Sequence, residues 1–288
     1  LFIVLVLIFL NNFFKKNENK IQYHIKSSSI ILKKLKNPMS KFFAYLVIGV
    51  PIIFGLFIPL LSMTNNVIKN FSKFDFTELS NLIKNSLSIS ITASFIIVAI
   101  TLFILIIKRY SNSNLLKFII RILSAGYAIP GAIIGLSIML ILQQNSFISV
   151  LMGTTFLLIY AYVFRFIAVA IFTIENNLKK QPYEFDRLAD SLKLNNLKKF
   201  IKINLPLSLN SIIIAFLIVF IDIMKELPLT LILRKSTGKF NTLAIEAYNK
   251  AKNEELANSS LYSLTIVLIC IIMIIVVNIF LKRKKHVH

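Results

Sequence analysis

The chain has 288 residues, 57% of them hydrophobic, with 33 Lys and Arg against 12 Asp and Glu and a formal net charge of +21. A mean hydropathy of +0.78 with this apolar content lies above the ~45–50% apolar composition of soluble globular domains and excludes one. The single cysteine, Cys270, excludes a disulfide within the chain.

In chain order, residues 1–10 are purely apolar, about half of the ~20 residues that a helix needs to cross the hydrocarbon core. No basic flank precedes them and no small-residue cleavage site follows. They read as the end of a truncated span, and the chain as a fragment. Residues 11–41 form a basic linker, with Pro38 marking the next span. Six apolar stretches then qualify as full transmembrane helices: 42–62, 85–107, 117–142, 149–174, 207–233 and 259–281. A basic tail, 282–288, closes the chain. The predicted fold class is an all-α membrane protein with six full spans and a partial N-terminal one.

The charge is distributed by side. Of the 33 bases, 23 fall in the linker, the 108–121 loop, the 175–207 loop and the tail; nine fall in the alternate segments, and Arg165 lies inside a span. Cytoplasmic loops hold such an excess of Lys and Arg, so these segments and the C-terminus are expected on the cytoplasmic side. The same pattern accounts for the charge without a nucleic-acid partner; the expected surroundings are a lipid bilayer.

The loop 181–206, QPYEFDRLADSLKLNNLKKFIKINLP, is the most specific segment. Phe185, Leu188, Ala189 and Leu192 recur at i, i+3, i+4 and i+7, one apolar face of a helix, with Asp186, Arg187, Asp190 and Lys193 on the other. Pro182 suits the helix start and the early acids suit its dipole. Such a helix can lie in a groove on a partner or on the lipid surface.

The loop resembles the coupling loop of type-1 ABC importer permeases, whose pattern is Glu-Ala-Ala, three residues, Gly, nine residues, Ile, any residue, Leu-Pro. Arg187-Leu188-Ala189 takes the triplet, Lys193 the Gly position, and Ile203, Leu205 and Pro206 match at the right spacing. Three further segments stand in the expected order: Gly126-Tyr127-Ala128-Ile129-Pro130-Gly131, Tyr160 to Phe166, and Asp222-Ile223-Met224-Lys225-Glu226-Leu227-Pro228. Phe240-Asn241-Thr242-Leu243-Ala244 follows them. Together they resemble the C-terminal half of iron(III)-type permeases, which carry two modules in one chain.

The resemblance implies a module at 42–281 with its type-1 core at about 82–281, set in a bacterial inner membrane. It implies three partners: a cytoplasmic ABC ATPase dimer, a periplasmic substrate-binding protein and a second permease module. It also implies that Phe185, Asp186, Arg187, Leu188, Ala189, Asp190, Leu192, Leu205 and Pro206 couple to the ATPase. The alternatives are the same machinery importing thiamine, sulfate or a phosphonate, and a secondary transporter or membrane scaffold without an ATPase. If the Gly position needs a left-handed turn, Lys193 is strained there, and the bend is expected to move to Asn195 or Asn196.

Arg165, Asp222, Lys225 and Glu226 are charges at membrane depth, costing ~2.5–3.5 kcal/mol each at mid-bilayer on insertion scales, so they mark a candidate translocation pathway. Asp222 and Lys225 are i, i+3 neighbours and can pair; depths estimated along straight helices keep Arg165 and Asp222 apart. Lys225 and Glu226 can alternatively snorkel to the outer surface. No phosphate-binding glycine motif, catalytic constellation or cofactor site is read, so ATP hydrolysis is expected on another polypeptide. His24, His286 and His288 have no ligand spacing.

Overall fold

The computed structural model describes residues 37–111, 113–144, 149–182, 184–191, 193–234 and 241–285, and every regular element among them is helical. The expectations for residues 1–10, for the linker up to residue 36 and for His24, His286 and His288 lie outside the described residues. The chain divides after Ser62 into two units.

In the first unit, helix α1 (Pro38–Lys69, reaching into the second unit) begins where the Asn37 side chain accepts the Met39 N–H and Pro38 occupies the first turn. Pro51 lacks an N–H to donate, and a π turn follows directly at Ile53–Phe57.

The second unit opens at helix α2 (Phe76–Tyr110), capped by Asp75, whose carboxylate accepts from Thr77 and Glu78 N–H. Those two backbone bonds hold the Asp75 carboxyl below the usual range. This cap sets the helix start nine residues before the apolar run at 85, because capping, and not hydropathy, decides where a helix begins. Helix α3 (Asn114–Ala125) is capped by Ser113, and after one 3-10 turn the chain bends by 110° into α4 (Gly131–Gln144). The expected straight span 117–142 is therefore a broken one. Pro130 cannot continue the backbone ladder, and the residue before it, Ile129, is extended.

Helix α5 (Thr155–Leu178), capped by Thr154, is buried along Leu157, Ala161, Tyr162, Ile167, Ala168, Ile171 and Ile174 and packs on α2, α3 and α4. After the short α6 (Glu184–Ser191) comes α7 (Asn196–Met224), capped by Asn195 and containing a π turn at Phe200–Asn204. The expected span 207–233 stops at Met224. A turn through Lys225 to Leu227 precedes a short helix α8 (Pro228–Leu233), because Pro228 at its first turn needs no N–H partner. Helices α9 (Leu243–Lys252) and α10 (Leu256–Lys285) complete the unit.

Lipid tails are as apolar as Leu, so small residues and polar contacts must bring membrane helices together. Helix α2, which packs on α7, accordingly buries Ser86, Ser90, Ala93, Ser94 and Ile97, and α7 buries Ser208, Ser211, Ala215 and Val219. A smaller core gathers Leu82, Phe220, Met224, Leu243, Ala247 and Tyr262. The outer faces are apolar and exposed, as at Phe95, Phe172 and Ile272, which suits acyl chains and not water. Among the described residues five helices, α1, α2, α5, α7 and α10, are long and apolar enough to cross a bilayer, and the bent pair α3–α4 makes six if taken as one span.

Candidate functional site

Helix α6 sits at the end of the unit where α2 and α5 finish. Its eight residues bury Asp186 and Ala189, one turn apart, against the rest of the chain. Both Nε and Nη2 of Arg109 donate to Asp186 Oδ2, at 3.1 and 2.6 Å, while Nη1 donates to the Leu178 carbonyl at 2.9 Å. Oδ1 of Asp186 accepts from Tyr110 OH at 3.3 Å and from Asn204 Nδ2 at 3.2 Å. The Asn204 amide also donates to Tyr110 OH at 2.7 Å. Gln181 Nε2 extends the network to Ser208 Oγ at 2.8 Å. One carboxylate thus ties α6 to the ends of α2 and α5 and to the π turn of α7.

The expected division of α6 into an apolar partner face and a polar solvent face is corrected in two places. Asp186 faces its own chain because Arg109, 77 residues away in sequence, supplies a buried counter-charge. Ala189 faces inward as well, 1% exposed, since its small side chain allows close approach. Phe185 and Leu188 point outward, 41% and 62% exposed, with Arg187 beside them. Leu192 lies outside the described residues. Asp190 pairs with the buried Lys199, whose ammonium stands over the Tyr110 ring at 5.8 Å. Leu205 packs on the core, and Pro206 is exposed in the first turn after the π stretch.

The bend after α6 is at Lys193 itself, with φ 52°, and not at Asn195, which is extended and caps α7. Leu194 N–H donates to the Ala189 carbonyl at 3.1 Å and Lys193 N–H to the Asp190 carbonyl at 2.9 Å, the paired bonds of a Schellman ending. These bonds outweigh the ~1–2 kcal/mol penalty for a left-handed residue with a Cβ.

A second polar cluster lies at mid-span, where three of the segments singled out in the sequence meet. Arg165 is the eleventh of the 24 residues of α5. Its Nη1 donates to the Ile129 carbonyl in the α3–α4 bend at 3.0 Å, and its Nε lies 3.2 Å from Glu226 Oε2 in the α7–α8 break. That contact is an ion pair off the N–H direction, so Nε makes no hydrogen bond. Glu226 Oε1 accepts from Leu229 N–H at 3.2 Å and so caps α8. Thr230 Oγ1 donates to the Glu226 carbonyl at 2.8 Å, leaving Tyr162 OH to donate to Thr230 at 2.5 Å. Gly131 leaves the space: a Cβ there would stand 2.5 Å from Glu226 Oε1 and 2.8 Å from Arg165 Nη1. Gly126 is equally confined, since its Cβ would be 2.6 Å from the Phe164 carbonyl oxygen.

Depth along a straight fifth span conceals the Arg165–Glu226 pair. The stop at Met224 turns the chain and brings Glu226 to the level of Arg165. Asp222 and Lys225 do pair, at 2.8 Å, with Lys225 exposed and Asp222 buried.

Residues 100–286 match the family described as the binding-protein-dependent transport system inner membrane component. A curated relative, the Fe(3+)-transport system permease protein FbpB 2 of Haemophilus influenzae, is 28% identical over 221 residues. That match takes in 77% of this chain but 42% of the relative, so the chain spans less than half of the relative's length. Among solved structures, a bacterial ABC transporter involved in the import of the acidic polysaccharide alginate aligns with a TM-score of 0.63 at 12% identity. It covers 85% of this chain and 96% of its own; at that identity the likeness speaks for the fold. A helical fold of broken and unbroken spans, an anchored α6 and a family match over most of the second unit agree: the chain belongs to the inner membrane components of binding-protein-dependent transport systems.

Proposed function

We propose that the chain is the permease module of an ATP-driven importer, forming half of a translocation pathway and itself hydrolysing no ATP. A separate ABC ATPase dimer docks on α6 from the cytoplasm, a periplasmic binding protein delivers cargo at the opposite end, and a second permease module completes the pathway. The protein sits in a bacterial inner membrane with its C-terminus in the cytoplasm, in keeping with the distribution of basic residues.

The observation that carries this reading is the division of labour on α6. Asp186 and Ala189 are spent on the chain's own helices, while Phe185 and Leu188 stand outward with no fold-internal reason to be apolar. An exposed Phe–Leu pair one turn apart fits a hydrophobic groove on a partner. Leu188→Asp should abolish ATP hydrolysis stimulated by the binding protein in reconstituted complexes while membrane expression stays unchanged. Stimulation equal to wild type in Leu188→Asp would rule out the docking role.

Ferric iron is the proposed cargo, supported by the likeness to the Fe(3+) permease and not by a set of ligands. Among the described residues no three His, Cys, Asp or Glu side chains are grouped to hold a metal. Both mid-span carboxylates already face cations, Asp222 with Lys225 and Glu226 with Arg165. A passing ferric ion would have to displace those partners to be ligated. Uptake of radiolabelled ferric iron into vesicles holding the full complex tests the cargo. Uptake of thiamine, sulfate or a phosphonate in its place would overturn it and leave the importer reading intact.

A further inference from the structure

We infer that Arg165, Glu226 and Gly131 form a clasp that locks the α3–α4 bend to the α7–α8 break, making Arg165 and Glu226 positioning residues for transport and not cargo ligands. The inference rests on the permease reading above.

Two helices of the unit are interrupted at proline, at Ile129-Pro130 and at Leu227-Pro228. An interruption inside a membrane leaves carbonyl and N–H groups that lipid cannot satisfy, so protein groups must take them. Here one ion pair takes both. Arg165 occupies the Ile129 carbonyl of the first break, and Glu226 occupies the Leu229 N–H of the second. The side chains then meet at 3.2 Å, over the one position of the bend where a Cβ would collide with both. Glu226 is 7% exposed, which suits a joint better than a coordination site reached by water. Tyr162 and Thr230 add a second tie between α5 and α8, at 2.5 Å.

A clasp and a ligand site respond differently to paired substitution. Removing one charge strands the other in a buried setting, whereas removing both together does not. A Gln at each position keeps a donor for the Ile129 carbonyl and an acceptor for the Leu229 N–H.

The test compares Arg165→Gln, Glu226→Gln and the double Gln variant in proteoliposomes containing the complete transporter. It reads MgATP hydrolysis stimulated by the binding protein, ferric iron uptake, and the thermal midpoint of the purified complex. Each single variant is expected to lose at least ten-fold in the maximal rate of stimulated hydrolysis, with the half-saturating binding-protein concentration unchanged, and to unfold several degrees lower. The double variant is expected to recover most of both. Gly131→Ala should act like a single variant, with Gly135→Ala as a comparison outside the clasp.

A double variant whose thermal midpoint stays as low as that of the single variants would overturn the clasp, and one with the midpoint restored but hydrolysis and uptake as impaired as in Glu226→Gln alone would overturn the positioning role and identify Glu226 as a group the cargo needs. Single variants that match wild type in rate and midpoint would overturn it too. Failure of the wild-type complex to hydrolyse ATP in response to any binding protein would refute the importer reading instead. The thermal comparison would then still decide the clasp.

Discussion

Between Arg109 and Asp186 the charged groups are fully engaged: the guanidinium meets a carboxylate and a carbonyl, Oδ2 accepts twice from Arg109, and Oδ1 accepts from both α2 and α7, while the Asn204 and Gln181 side-chain oxygens at the edge of the network accept no hydrogen bond. Around Arg165 and Glu226 the bonding is sparser. The charges meet at 3.2 Å, Arg165 Nε has no hydrogen bond, the guanidinium stands over the Phe166 ring at 5.4 Å, and the pair's hydrogen bonds go to backbone at helix breaks. An arginine–carboxylate pair therefore serves two ends. A saturated pair fastens one helix to the ends of its neighbours, and a less saturated one joins two interruptions in mid-span. Bond saturation, more than the presence of a buried salt bridge, tells an anchor from a joint.

The sharpest way to break this comparison is at the anchor. Asp186→Ala removes the carboxylate that faces the buried Arg109 side chain and should cost about 3–5 kcal/mol, as loss of one member of a buried pair generally does. Thermal unfolding of the purified protein measures it, and a change no larger than that of a surface substitution would deny Asp186 its anchoring part. Tyr110→Phe probes one strand of the same network. It removes a single hydroxyl while Asn204 keeps Asp186 as acceptor, so the expected loss is about 1 kcal/mol. A loss as large as that of Asp186→Ala would mean that the hydroxyl, and not the charge, organises the end of the bundle.

Lys193→Gly should change stability in the opposite direction. Removing the Cβ from a left-handed residue relieves about 1 kcal/mol, raising the thermal midpoint. A lower midpoint would show that the lysine side chain earns its place by a contact of its own.

The smallest effect belongs to Asp75, a carboxylate held by two N–H groups with no arginine near it. Its pKa is depressed on folding by the backbone bonds from Glu78 and Thr77. Its contribution is thus present above the unfolded carboxylate pKa and fades as pH falls through the depressed one. Amide exchange in the first turn of α2 should quicken over that acidic window, and Asp75→Asn should flatten the response. Exchange that ignores pH in the native chain would remove the cap from the account.

The sequence made the helical class and the presence of a short helix at 184–191 legible, because hydropathy and helical periodicity are local signals. The breaks were not, although Pro130 and Pro228 stood in plain view. Long apolar runs flank both, unbroken at Pro130 and interrupted by only three charges before Pro228, so an apolar count sees one span where the backbone makes two pieces. The facing of Asp186 was illegible for another reason. A helical wheel sorts residues by polarity, but a polar residue turns inward when a distant partner awaits it, and Arg109 sits on a different helix. Residue preference alone points to asparagine for the left-handed bend, two or three residues after its position at Lys193. The closing hydrogen bonds of α6 fix the position whatever residue stands there.

The Asp186 network also has a mechanical consequence. Helix α6 is only eight residues, about 12 Å long, yet a load applied to it cannot be delivered to one rod alone. Asp186 passes it to α2 through Arg109 and Tyr110, Arg109 passes it to the last turn of α5, and Asn204 passes it to α7. Any push or pull at Phe185 and Leu188 is shared among three long helices at their common end. A displacement of α6 would therefore be met by a stiff block, leaving deformation to the places where the backbone is already interrupted.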